Sequence, residues 1–179
     1  MGKITAITFI SLDGVVENPG WSLDFQSEDT GTLNMEVLND ADAMLLGRVT
    51  YEGFAEAWPS RSGDPYSDRF NGMPKYVVTS TLASADWTNS HIVDGGNGVY
   101  DRIRALREEQ KLLVWGSPSL VQSLLREGLV DELVLLTSPV VLGEGLRLFA
   151  DGADHRLRFT EPTLLGGGML AVRAEATAG

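Results

Sequence analysis

The chain has 179 residues, 43% of them hydrophobic, no cysteine, and a net charge of -11 from 14 basic and 25 acidic side chains. A chain of this size buries roughly two-thirds of its unfolded surface around one core, so a single domain spanning 1–179 is expected. The acidic balance disfavours a nucleic-acid backbone or an anionic membrane as partner, and the lack of cysteine excludes a disulfide framework, a thiolate nucleophile and the sulfur ligands of a structural zinc site.

Met1 to Ala6 runs directly into strand-like residues without an apolar signal segment, and no apolar run approaches membrane-spanning length. A cytoplasmic protein is the expectation. Ile4 to Leu12 reads as a strand that Ser11-Leu12-Asp13-Gly14 closes, with an acidic residue at its carboxyl end. A loop follows through Pro19-Gly20-Trp21, and Ser27 with Glu28 and Asp29 forms the cap and acidic first turn of a helix through Leu33, Val37 and Leu38. Ala43 to Leu46 is a short buried strand. After Gly47, the residues Tyr51, Phe54, Ala55 and Trp58 fall at i, i+3, i+4, i+7, and Pro59 stops that helix. Gly53 inside it costs roughly 1 kcal/mol relative to alanine, so either packing or a ligand is expected to need the small residue there.

Pro59 to Met73 is polar and turn-rich and reads as a surface loop. Lys75 to Ser80 is a strand, and Ile92-Val93 another. Beyond Gly95-Gly96-Asn97-Gly98, Val99, Ile103 and Leu106 share a helical face. Leu112 to Trp115 is a buried strand. Its following helix has Ser117 or Ser119 as cap, Pro118 in the first turn, Leu120, Val121, Leu124 and Leu125 toward the core, and Gly128 as terminator. Leu133 to Leu136 and Val140-Val141 read as strands, and Arg156 to Thr160 and Met169 to Ala174 as a hairpin joined through Pro162 and Gly166-Gly167-Gly168. Strands alternating with helices and then strands alone imply an α/β fold: a mixed, mostly parallel sheet with helices on both faces and an antiparallel end.

Two segments concentrate the functional signal: Leu45-Leu46-Gly47-Arg48-Val49-Thr50-Tyr51-Glu52 and Leu113-Val114-Trp115-Gly116-Ser117-Pro118-Ser119-Leu120. Each is strand, glycine turn and helix start, where unpaired N–H groups and the positive end of the helix dipole favour a phosphate. Two of them in one small domain suggest a dinucleotide. Asp13, Gly47, Ser80 and Gly116 each follow a strand, so parallel neighbours would bring them to one crevice. The G-x-G-x-x-G fingerprint is missing, which disfavours an ordinary Rossmann domain. His91 and His155 lack metal-site spacing, and no serine lies in G-x-S-x-G, so neither a histidine metal centre nor a serine hydrolase is expected.

Taken together, Ser11-Leu12-Asp13-Gly14, Leu46 to Glu52, Val77-Val78-Thr79-Ser80, Trp115-Gly116-Ser117, Gly128 to Leu133 and Pro139 to Gly145 resemble, in order and spacing, the dihydrofolate reductase superfamily, in the branch of the reductase domain of bacterial riboflavin biosynthesis. The resemblance implies a three-layer dihydrofolate-reductase-like fold and an NADPH-dependent reductase of a small planar heterocycle or carbonyl. A binding module that keeps the coenzyme shelf without turnover is the alternative. It implies Gly47, Arg48 and Thr50 as phosphate contacts, and Thr79 and Ser80 at the adenosine ribose and its 2′-phosphate, with Lys75 as helper. It further implies Gly116, Ser117, Ser119, Leu120 and Val121 at the pyrophosphate turn, where Trp115 stands in place of one family glycine and is expected to narrow the pocket. Asp13 either caps the Gly14-Val15 turn or, as in the riboflavin-type reductases, lies near nicotinamide and substrate as the catalytic carboxylate. Trp21 and Trp58 are core aromatics or walls of the substrate pocket. A homodimer using the Pro139 to Phe149 region, with Glu144 at the contact, is also implied.

Overall fold

The structure is a computed structural model that describes residues 2–176. Among these, eight strands form one sheet: β1 (Lys3–Ser11), β2 (Ala43–Gly47), β3 (Lys75–Thr79), β4 (Ser90–Asp94), β5 (Lys111–Trp115), β6 (Glu132–Ser138), β7 (Leu157–Leu164) and β8 (Leu170–Ala176). Their order is β4-β3-β2-β5-β1-β6-β8-β7, with the first six parallel and β8 antiparallel to both β6 and β7. The helices are α1 (Glu28–Asp40), α2 (Arg48–Ala57), α3 (Pro65–Gly72), α4 (Val99–Glu109) and α5 (Pro118–Arg126), with a 3-10 turn over Pro19–Phe25.

The central strands read as unbroken apolar runs because both faces are covered. Ile4, Ala6, Ala43, Leu45, Leu112, Val114, Leu133 and Leu135 point to one side, where Ile103 of α4 and Val121 and Leu124 of α5 meet them. Their neighbours Ile7, Met44, Leu46, Leu113, Trp115, Val134 and Leu136 point to the other, against Val37 and Leu38 of α1, Tyr51 of α2 and Phe70 of α3. The mixed sheet, the helices on both faces and the antiparallel end thus follow from alternation within uniformly apolar strands.

Three sequence-based expectations change. Residues 59–73 contain a helix: Asp64 Oδ1 accepts from Tyr66 N–H (3.1 Å) and Ser67 N–H (2.9 Å), Pro65 takes the first helical position, and Phe70 is buried. Polar turn residues masked this cap because only Tyr66 and Phe70, one turn apart, carry the apolar stripe. Val140-Val141 forms no strand. Pro139 interrupts the extension of β6, and the Val140 carbonyl instead accepts from Leu12 N–H at 2.8 Å. Pro162 sits inside β7 rather than in its connection, which an edge strand tolerates because one of its sides needs no ladder bond.

The chain after β6 folds back over the end of β1 as a strap. Val16 N–H donates to Leu146 C=O and Leu148 N–H to Gly14 C=O, both at 2.9 Å. Asp13 fastens it: its carboxylate accepts from Ser11 Oγ (2.7 Å), Gly143 N–H (2.8 Å) and Leu142 N–H (3.1 Å). The Gly14-Val15 turn is closed instead by Ser11, whose Oγ takes Val15 N–H at 2.8 Å.

Gly53 has open space where a Cβ would stand, so neither packing nor backbone requires it, and Gly53→Ala is expected to stabilise by about 0.5–1 kcal/mol in urea unfolding. The Ser11 hydroxyl and the Leu142 and Gly143 amides hold the Asp13 carboxyl at about 2, below its ordinary 3.8. The folded state therefore binds fewer protons there, and the stabilisation is complete above pH 3.8 and disappears as pH falls through about 2. The gap in unfolding free energy between wild type and Asp13→Ala should close across that window; a gap independent of pH would contradict the strap's dependence on this carboxylate.

Candidate active site

The connection from β2 leaves toward β3 through α2, and that from β5 leaves toward β6 through α5, which lies on the opposite face. Adjacent parallel strands whose connections diverge leave a crevice at their carboxyl ends, the usual ligand position in such sheets. The two glycine turns meet there. Gly47 N–H donates to Ser117 Oγ, and Ser117 N–H donates to Thr50 Oγ1, each at 3.0 Å. Gly116 (φ 64) and Ser117 (φ 50) are both left-handed, and a Cβ at 116 would stand 3.4 Å from Thr50 Cγ2. Ser117 occupies the cap position of α5, yet its hydroxyl serves the neighbouring turn, so neither α2 nor α5 has a side-chain cap.

The first-turn amides of both helices, Arg48 to Thr50 in α2 and Ser119 and Leu120 in α5, thus face one crevice without capping side chains. The Thr50 and Ser117 hydroxyls accept within the lock and each keep a proton to donate. At Gly47, φ is -76 and a Cβ would meet Ser117 and Leu120 no closer than 3.7 Å. The protein alone would accept alanine there; a Cβ would fill the cradle instead. This arrangement fits a pyrophosphate. Val121 is buried and reaches the turn by backbone alone, its N–H donating to Ser117 C=O at 3.0 Å.

Arg48, at the mouth, donates from Nη1 to Glu52 Oε2 at 2.8 Å, with both side chains close to half exposed. At the end of β3, Thr79 is buried and its Oγ1 accepts from Thr81 and Leu82 N–H, both at 3.1 Å, while Ser80 is exposed. Lys75 is not with them. It lies at the opposite end of β3, fully buried, with Nζ donating to Asn71, Met73 and Thr88 carbonyls at 2.7, 2.8 and 3.0 Å and standing 4.1 Å from the Trp87 ring centroid. Burial pulls its ammonium down to about 8. The inward position in an alternating strand was the signal that it packs rather than binds.

Asp13 lies in the turn that follows β1, two strands from Gly47, and is anionic at neutral pH. Trp115 turns its ring into the aromatic cluster, edge-on to Phe70 (5.8 Å) and Tyr66 (6.3 Å), so it does not narrow the glycine turn. Trp58 packs on Phe70 at 4.4 Å and Tyr66 at 5.7 Å and carries the Arg61 guanidinium 4.7 Å from its ring centroid. Trp21 lies apart in the 3-10 turn, its Nε1 donating to Glu17 C=O at 3.1 Å. A cleft of about 830 Å³ opens at the other end of the sheet, by Asp131 and Ala176, and none of these residues lines it. No group of three or more His, Cys, Asp or Glu is placed to hold a metal, and no helix is long and apolar enough to cross a membrane, among the described residues.

Sequence reasoning did not single out Ser11, which orients Asp13, or the ion pair of Asp94 and Arg102 at the end of β4. An Asp-Gly-Gly run at a strand end was the available sign for the latter.

Comparison with known proteins bears on the family and the fold. The model of the RibD C-terminal domain matches residues 2–171. The uncharacterized protein YyaP of Bacillus subtilis (strain 168) is 30% identical over 149 residues, covering 79% of this chain and 77% of its own. A pyrimidine reductase-like protein from Corynebacterium diphtheriae superposes with a TM-score of 0.75 at 16% identity, covering 99% of this chain and 93% of that one. Dihydrofolate reductase from Enterococcus faecalis, complexed with NADP(H), superposes with a TM-score of 0.64 at 16% identity over 99% and 98% of the two chains. The family-model match over residues 2–171 places the chain in the RibD C-terminal domain family, and the superpositions place it on the dihydrofolate-reductase-like fold.

Proposed function

We propose that the protein is an NADPH-dependent reductase that delivers a hydride to a small planar heterocyclic or carbonyl compound. The observation that carries this reading is the pair of helix amino termini, from opposite faces of the sheet, locked side by side at the crevice. One amino terminus favours one phosphate; two in contact suit the pyrophosphate of a dinucleotide. The family assignment and the dihydrofolate reductase relative complexed with NADP(H) support it.

When bound, the reduced nicotinamide supplies the hydride. The chain's own residues then do three things. The α2 and α5 amides, with the Thr50 and Ser117 hydroxyl protons, bind the phosphates, and Arg48 adds a cation that must leave Glu52. Thr79 shapes the β3 end where Ser80 offers a hydroxyl to the adenosine ribose. Asp13, held anionic by Ser11, Leu142 and Gly143, is no proton donor at neutral pH; it would place a fixed negative charge at the nicotinamide end of a bound coenzyme. The acceptor's proton therefore comes from solvent or another group.

Gly47→Ala should unfold at the wild-type temperature and bind NADPH about tenfold more weakly, equal to about 1.4 kcal/mol, in a calorimetric titration. Unchanged affinity would remove the cradle. Arg48→Ala, starting from an exposed ion pair, should cost about 1 kcal/mol of NADPH binding. Asp13→Asn should lower the turnover rate and leave coenzyme affinity in place, measured by nicotinamide absorbance with pterin, flavin-precursor and carbonyl acceptors. NADPH binding without oxidation by any of them would favour the non-catalytic module.

A further inference from the structure

The turn between β4 and α4, Gly95-Gly96-Asn97-Gly98, has no part in the pyrophosphate cradle, yet it is fastened to the end of β3. Thr79 and Asp94 are register partners, and Gly95 N–H donates to Thr79 C=O at 2.9 Å. A Cβ at 95 would lie 3.1 Å from the Thr79 carbonyl carbon and 3.2 Å from the Ser80 nitrogen, so glycine lets the turn close against Ser80. Arg102, in the first turns of α4, reaches back over it. Its Nη2 donates to the carbonyls of Asn97 (2.9 Å) and Asp94 (3.0 Å) and to the Asp94 carboxylate (3.3 Å). All three bonds come from one nitrogen, which leaves Nε and Nη1 without hydrogen-bond partners among the described residues. The Asp94 side chain, 72% exposed, also takes Gly96 N–H at 3.0 Å.

We propose that Asp94 and Arg102 set the choice between NADPH and NADH, Arg102 as the cation for the 2′-phosphate and Asp94 as a built-in counter-charge that holds the preference down. This rests on the coenzyme reading above. Along the strand ends the order is β1, β5, β2, β3, β4, with neighbours about 4.8 Å apart. A pyrophosphate at β5 and β2 puts the adenosine ribose over β3, and a group on the far side of that ribose meets the β4 turn. Lys75 is at the wrong end of β3, and Arg48 is one strand back on Glu52. A 2′-phosphate needs a cation with free donors, which Arg102 has. A 2′-hydroxyl donates, and an acidic side chain at a strand end accepts from it. With both groups present the site takes either coenzyme, with a restrained preference for NADPH.

The test is a calorimetric titration of NADPH and NADH into wild type, Arg102→Gln and Asp94→Asn, read as the ratio of the two dissociation constants for each protein. Arg102→Gln should weaken NADPH about tenfold and leave NADH unchanged. Asp94→Asn keeps the acceptor for Gly96 N–H but removes the charge, and should tighten NADPH about threefold without tightening NADH. The ratio is an internal control, because a distorted shelf loses both coenzymes together. If Arg102→Gln weakens both equally, or Asp94→Asn keeps the wild-type ratio, the assignment is overturned even though the coenzyme reading stands. If wild type binds neither, the coenzyme reading itself has failed.

Discussion

Two hydrogen bonds across 70 and 67 residues of sequence, Gly47 N–H to Ser117 Oγ and Ser117 N–H to Thr50 Oγ1, hold the glycine turns of β2 and β5 against each other. Each is worth about 1 kcal/mol net, close to the 1–2 kcal/mol that a left-handed non-glycine residue such as Ser117 costs. The lock therefore changes stability little. What it fixes is geometry: two helices on opposite faces start within one crevice, with their first amides facing it and their side-chain caps absent. A helix normally satisfies its first amides with a cap from its own chain; here the serine that stands at the cap position is spent on the other turn.

That geometry matters more because of the overall charge. A chain at -11 repels a polyanionic ligand at long range, so the proposed coenzyme would have to be held by short-range donors that salt and net charge screen little. Backbone amides and hydroxyl protons meet that need. Cations near the shelf are few and mostly committed: Arg48 to Glu52 and Arg102 partly to Asp94. Asp13 continues the pattern at the other end of the row, a carboxylate whose charge is secured by the Ser11 hydroxyl and the two strap amides, so it stays deprotonated at neutral pH.

Most elements were legible because their signals are local. Apolar runs bounded by turn residues gave the parallel strands, and the Pro118 and Gly128 punctuation gave α5. The helix α3 was hidden because its cap, Asp64, lies among serines, glycine and proline that equally describe a loop, and its buried side is a single aromatic turn. Lys75 shows the complementary failure. A lysine near a phosphate-binding strand end looks like a ligand contact, but strand alternation and the three carbonyls gathered around Nζ make it an internal cation beneath Trp87. Trp115 likewise joins the rings of Phe70 and Tyr66, which come from a helix the sequence pattern did not reveal.

Residue types and their spacing determined the strand and helix content, the parallel sheet with an antiparallel end, and the two glycine turns poised for an anion, since each depends on neighbours within a dozen positions. Tertiary structure alone decided that the turns are bonded to each other, that Asp13 grips a strap 129 and 130 residues away, and that the β4 turn held by Arg102 closes against the end of β3. Those outcomes depend on strand order, and strand order follows from how whole faces pack, which local spacing does not encode.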